Sequence, residues 1–125
     1  MPHPPAIVIH GLDHARLALA SGVAVTLLSA PGAALYAGAG WWRALIAQSG
    51  TRLPDIVDCA DAPGRALEAL ACCCRIIVLH PCPAWDQVAA RASDAGATLL
   101  RERPPALDLA VPGAARDIAA WLAIG

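Results

Sequence analysis

The chain contains no lysine, no phenylalanine and no asparagine, and only one tyrosine and one methionine. Every strong side-chain cation is therefore arginine, and the nine arginines are scattered without a run or stripe. That spacing lacks the basic footprint by which a protein tracks a phosphate backbone, so no nucleic-acid partner is expected. Charge of either sign is scarce. Charged residues make up 15% of the chain, against roughly 25% in ordinary domains, and the formal net charge is -1. With 58% apolar residues the composition excludes a disordered chain, which needs low hydrophobicity and high net charge. So little polar surface implies that some apolar area faces a second copy, and a homo-oligomer is expected.

Several signatures are missing as well. The start, Met1-Pro2-His3-Pro4-Pro5, has neither the basic nor the apolar region of a secretory signal. The five cysteines (Cys59, Cys72, Cys73, Cys74, Cys82) are odd in number and follow no disulfide spacing; free thiols in a reducing cytoplasm are the expectation. No charge falls between Leu17 and Trp42, a stretch long enough to span a bilayer. Gly22, Ser29, Pro31, Gly32, Gly38 and Gly40 cut it into pieces, however, and no membrane span is expected.

What is present is an alternation of short apolar runs and helical patterns. The runs are 6–9, 23–28, 55–57, 75–79 and 97–100. Each is too short for a helix and lacks the strict alternation of a half-solvated strand, as befits strands covered on both faces. Asp13 and Asp61 are placed to cap helices, Pro63 and Pro83 to open them, and Gly22 and Gly96 to end them. The inward faces expected are Ala15, Ala18, Leu19 and Gly22 in the first helix, and Trp42, Leu45 and Ile46 in the second. Leu67, Leu70, Ala71 and Cys74 form the third face, Trp85, Val88, Ala89 and Ala92 the fourth, and Ala115, Ile118 and Leu122 the last. The stretch from Val8 to Asp13 is echoed between Ile56 and Asp61, where a strand again ends in a polar residue and an acidic residue follows three places later. Strand and helix in strict succession predict one α/β domain over 1–125. Its expected form is a three-layer α/β/α sandwich on an open, mostly parallel, five-stranded sheet, doubly wound in the Rossmann-like or flavodoxin-like manner. Arg103 to Val111, with Pro104-Pro105, reads as an extended connection or a short edge element.

In such sheets ligands sit beyond the carboxyl ends of the strands, which directs attention to the residues just after each run. His10, Asp58, Cys59 and His80 are the candidate catalytic residues, and Ser29, Gly32, Asp13 and Asp61 the candidate ligand-binding ones. Either common strand order sets His10 beside Asp58 or beside His80. Cys59, between a strand and a helix start, has the position of an activated nucleophile with a histidine as base. His10, His14, Asp58, Cys59, His80 and Cys82 have the donor chemistry for zinc, though at spacings that match no established zinc pattern; the metal and any cofactor stay unassigned. Ser29 to Ala33, where a strand turns into a helix, suits a small anion, but the chain has neither a Walker sequence nor GxGxxG. Cys72-Cys73-Cys74 cannot chelate one ion from a helix, because successive positions point about 100° apart. Trp41 and Tyr36 are left for a lid or a contact between copies. Two functional classes follow. The favoured one is a small, homo-oligomeric binding or interaction protein holding an anionic or small polar ligand at the carboxyl strand ends. The alternative is a small enzyme using the edge of His10, Asp58, Cys59 and His80 for metal-assisted hydrolysis or thiol chemistry.

Overall fold

The computed structural model describes residues 3–124. Six strands form one parallel sheet: β1 (Ala6–Ile9), β2 (Thr26–Ser29), β3 (Asp55–Asp58), β4 (Ile76–Val78), β5 (Thr98–Leu100) and β6 (Ala106–Asp108). Their order is β5-β4-β3-β2-β1-β6. The helices are α1 (Leu12–Leu19), the single turn α2 (Ala33–Tyr36), α3 (Gly38–Ser49), α4 (Pro63–Ala71), α5 (Trp85–Asp94) and, after a 3-10 turn over Ala114–Asp117, α6 (Ile118–Leu122). The chain is thus an α/β domain of the Rossmann or flavodoxin kind, with a sixth strand added at the β1 edge. Among the described residues no helix is long and apolar enough to cross a membrane.

The strand order decides where the layers lie. β1 to β5 are laid down one after another in a single direction. Right-handed crossovers repeated in one direction put every connecting helix on the same side of the sheet. The buried side chains divide accordingly. One cluster joins Ile7, Ile9, Leu27, Val57, Ile77 and Leu79 to residues from every helix, among them Ala18, Ala34, Trp42, Ala69, Val88 and Ile118. The other consists of Ala6, Val8, Leu28, Ile56 and Val78, with no helical residue in it. The return from β5 to β6 runs the opposite way, and the same handedness carries it over this second face. Residues 101–105 make that crossing without a helix, since Pro104 and Pro105 cannot supply helical N–H groups. An extended strap thus crosses the second face, and its Arg103 reaches Asp58 there.

Local details follow the chemistry of the chain. Gly38 (φ 81°) sits at the joint between α2 and α3, in a backbone region costly to side chains. Ala15 and Ala18 are buried as expected, as are Trp42, Leu45 and Ile46. On α4 the fully buried positions are Ala66 and Ala69; of the expected face Leu70 packs against the core and Cys74 is buried just past the helix, while Leu67 and Ala71 are exposed. Neither Asp13 nor Asp61 caps a helix through its side chain. Gly11 precedes α1 and Ala62 precedes α4, which leaves Asp13 within the first turn and Asp61 ahead of it.

Candidate functional site

Alternation along each strand builds the site. Val8, Ile56 and Val78 face the strap, so the residues two places on, His10, Asp58 and His80, fall on the same side at the carboxyl edge. Asp108 follows Ala106 on β6 by the same rule. In strand order the row reads His80, Asp58, Ala30, His10, Asp108. Strands lie about 4.8 Å apart. His80 and Asp58 therefore stand on neighbouring strands, whereas His10 is two strands from Asp58 and three from His80. The observed order is neither of those considered from sequence, and the neighbour it gives His10 is Asp108.

That pairing is direct. His10 Nε2 donates to Asp108 Oδ1 at 2.8 Å, with both side chains about one-third exposed. The backbone N–H of His10 donates to His14 Nδ1 at 3.1 Å, and the two rings meet edge to face at 5.5 Å. Desolvation acts to raise the Asp108 carboxyl, but the Ala110 N–H and the His10 ring outweigh it and hold the group below its ordinary value. His10, Gly11, Leu12, Asp13 and His14 line an open hollow of about 350 Å³, which His10 joins to the pair.

The next members of the row are closed on themselves. Asp58 is fully buried; it accepts from Arg103 of the strap at 2.8 Å and from the Ala60 N–H at 2.7 Å. Ala60 takes φ 51°, a left-handed conformation rare for alanine, and its carbonyl accepts the His80 N–H at 2.7 Å. His80 Nδ1 donates to the Arg101 carbonyl at 3.2 Å, and the Arg101 guanidinium lies 4.1 Å over the Trp85 ring. Cys59 points to the helical side of the sheet and is fully buried. Burial, and next the Asp58 charge, push its thiol up to about 12. An activated thiolate needs a value moved the other way.

The second loop is likewise internally satisfied. The Ser29 hydroxyl, fully buried, accepts from the Asp58 N–H and donates to the Ala30 carbonyl. Gly32 adopts φ 65° ahead of α2, and the Tyr36 hydroxyl donates to the Pro31 carbonyl at 3.0 Å, folding the loop onto itself. Asp13 and Asp61 are exposed. Among the described residues no three histidine, cysteine or carboxylate side chains come together as a metal site, so His10, His14, Asp58, Cys59, His80 and Cys82 do not converge.

Arg103 belongs to the stretch Arg101 to Arg103, which the sequence places at this edge after the fifth run without giving it a role, whereas Asp108 was not among the candidates. Its trace is faint but present: Leu107-Asp108-Leu109 alternates as an edge strand does, shortly after Pro104-Pro105. Comparison with family models, curated proteins and solved structures finds no match.

Proposed function

We propose that this chain is a binding domain for a small anionic or polar ligand, seated over β1 and the start of α1. The observation that carries this reading is the His10–Asp108 pair, which joins the two strands at which the order of the sheet reverses and stays open to solvent. Gly11 precedes α1 in extended conformation and offers no side-chain cap. First-turn N–H groups of a helix lack partners within the helix, so the hollow combines amide donors with the imidazoles of His10 and His14. Asp13 on its rim favours a ligand with donor groups of its own in addition to the anion. The closed Arg103–Asp58 pair and the buried Cys59 thiol support binding over thiol chemistry.

The reading includes self-association through the exposed apolar side chains Leu35, Tyr36 and Trp41, and residence in a reducing cytoplasm, supported by five free cysteines. Light scattering is expected to give a mass above that of one chain, and a monomer at high concentration would refute that part.

Titration with inorganic phosphate and with succinate, followed by NMR, tests the ligand reading. Saturable shifts of the His10 and His14 ring signals are expected, and their loss in His10→Gln. No saturable shift with either anion, or shifts unaffected by the substitution, would overturn it.

One observation favours a second reading. An imidazole oriented by a carboxylate has the arrangement of a general base, and His10 is so held by Asp108. On this reading the chain hydrolyses an ester of the bound anion, and turnover of a chromogenic phosphate or carboxylate ester would disappear in both His10→Gln and Asp108→Asn.

A further inference from the structure

The opposite end of the sheet holds a second cavity, of about 510 Å³, at the amino ends of β3, β4 and β5. Its walls are of two kinds. Ile46, Leu53, Ile76 and Leu100 give it an apolar side, and Leu53 is 39% exposed. Arg43, Arg52 and Arg75 give it a cationic side, with Asp55 the one carboxylate in the lining.

Asp55 is already engaged. It accepts the Trp42 indole N–H at 2.8 Å and two bonds of 3.1 Å from Arg43 Nη1. Arg43 is thereby neutralised in place. Arg75 donates to the Ala95 carbonyl, a neutral acceptor, at 2.9 Å, and Arg52 has no hydrogen-bond or ion-pair partner among the described residues. Two of the chain's nine cations thus border one apolar cavity with no anion to answer them, in a molecule whose net charge is -1. The volume falls within the roughly 300–1,000 Å³ of small-molecule sites.

From this conjunction we infer that the amino-end cavity binds an amphipathic organic carboxylate, its charge between Arg52 and Arg75 and its apolar body against Leu53, Ile76 and Leu100. The inference is independent of the proposal for the carboxyl edge, since the two cavities share no residue. Guanidinium groups suit a carboxylate because their planar donors match its two oxygens. The apolar wall rejects a small hydrophilic anion, which would have to shed water without gaining contact.

Calorimetric titration of the intact protein with octanoate, benzoate and octanamide tests it. Octanoate or benzoate is expected to bind saturably, the two distinguishing an acyl from an aromatic body, and octanamide to bind about tenfold more weakly or worse for want of charge. Arg52→Gln with Arg75→Gln should weaken the carboxylate by about tenfold or more, and Arg52→Gln alone by part of that. Both side chains are exposed, so folding, read by circular dichroism, should be retained. Amide shifts on binding should centre on 51–54, 75–76 and 96–100 and spare 10–14. Equal affinity for octanoate and octanamide, undiminished binding by the double variant, shifts confined to 10–14, or no binding of either carboxylate would each overturn the inference.

Discussion

Arg103 reaches from the strap to the sheet and holds the carboxylate of Asp58 at 2.8 Å, on a side chain only 1% exposed. The pair fixes the middle of the strap to the middle strands. Breaking such a pair from one side leaves a buried charge without its counterion, which costs more than the pair itself contributes. Arg103→Met should therefore lower unfolding free energy by about 2–4 kcal/mol, measured by urea denaturation. Adding Asp58→Asn to it should recover a substantial part. A single variant as stable as the parent would show that the strap is held by its prolines and apolar contacts instead.

The two buried cysteines make stability depend on alkaline pH. Burial first, and neighbouring carboxylates, push the Cys59 thiol up to about 12; burial also dominates at Cys74, pushed up to about 11. In the unfolded chain both ionise near 9.0. Above that value the unfolded state gives up protons that the folded state keeps, so stability present below pH 9 is lost as pH rises toward 11 and 12. The melting temperature is expected to fall over this range. Cys59→Ala should flatten the decline, and an unchanged slope would contradict the assignment.

Acid acts through Asp108. Its carboxyl is held below the ordinary value against the opposing effect of desolvation, by the Ala110 N–H and the His10 ring. A depressed carboxyl contributes stability above its unfolded value, and that contribution disappears as pH falls through the folded one. Asp108→Asn should therefore reduce the difference in melting temperature between neutral and strongly acid solution. The effect is small, because the pair is partly exposed and screened.

Cys73 offers a stabilising change. It follows the end of α4 at φ 65°, where its N–H donates to the Leu70 carbonyl and that of Cys74 to the Ala69 carbonyl. This is the helix-ending arrangement that glycine fills without a steric penalty. Cys73→Gly should raise stability by about 1 kcal/mol, read as a higher urea midpoint at unchanged slope. A lower midpoint would mean that the thiol makes contacts worth more than the strain.

The five principal strands were legible because buried parallel strands are short apolar runs, and β1 coincides with its run. The helix stops at Gly22 and Gly96 and the joint at Gly38 were legible through the positive φ that glycine accepts. Strand order was not, and everything sensitive to it went with it. The pairing of His10 with Asp108 bridges 98 positions, and no local pattern encodes which of several runs will lie beside β1. The gathering of helices on one face follows from the same order. β6 was read only as one of two options for 103–111, an extended connection or a short edge element, because its residues are half-buried and its partner is so distant. Leu67 misled because side-chain size suggests an inward position, whereas the close approach of α4 to the sheet is made by Ala66 and Ala69.

The domain's first strand is also among the last to be completed. β1 receives β2 on one side early in synthesis, but its other side waits for residues 106–108, and its Ala6 carbonyl for the Trp121 indole N–H at 2.7 Å. Until the ribosome has released that far segment, a nascent chain carries an apolar ribbon with one row of amides and carbonyls bare, the kind of template on which foreign strands dock. Any chain cut short before residue 106 would keep that bare ribbon for good, since no other segment supplies the missing partner of β1.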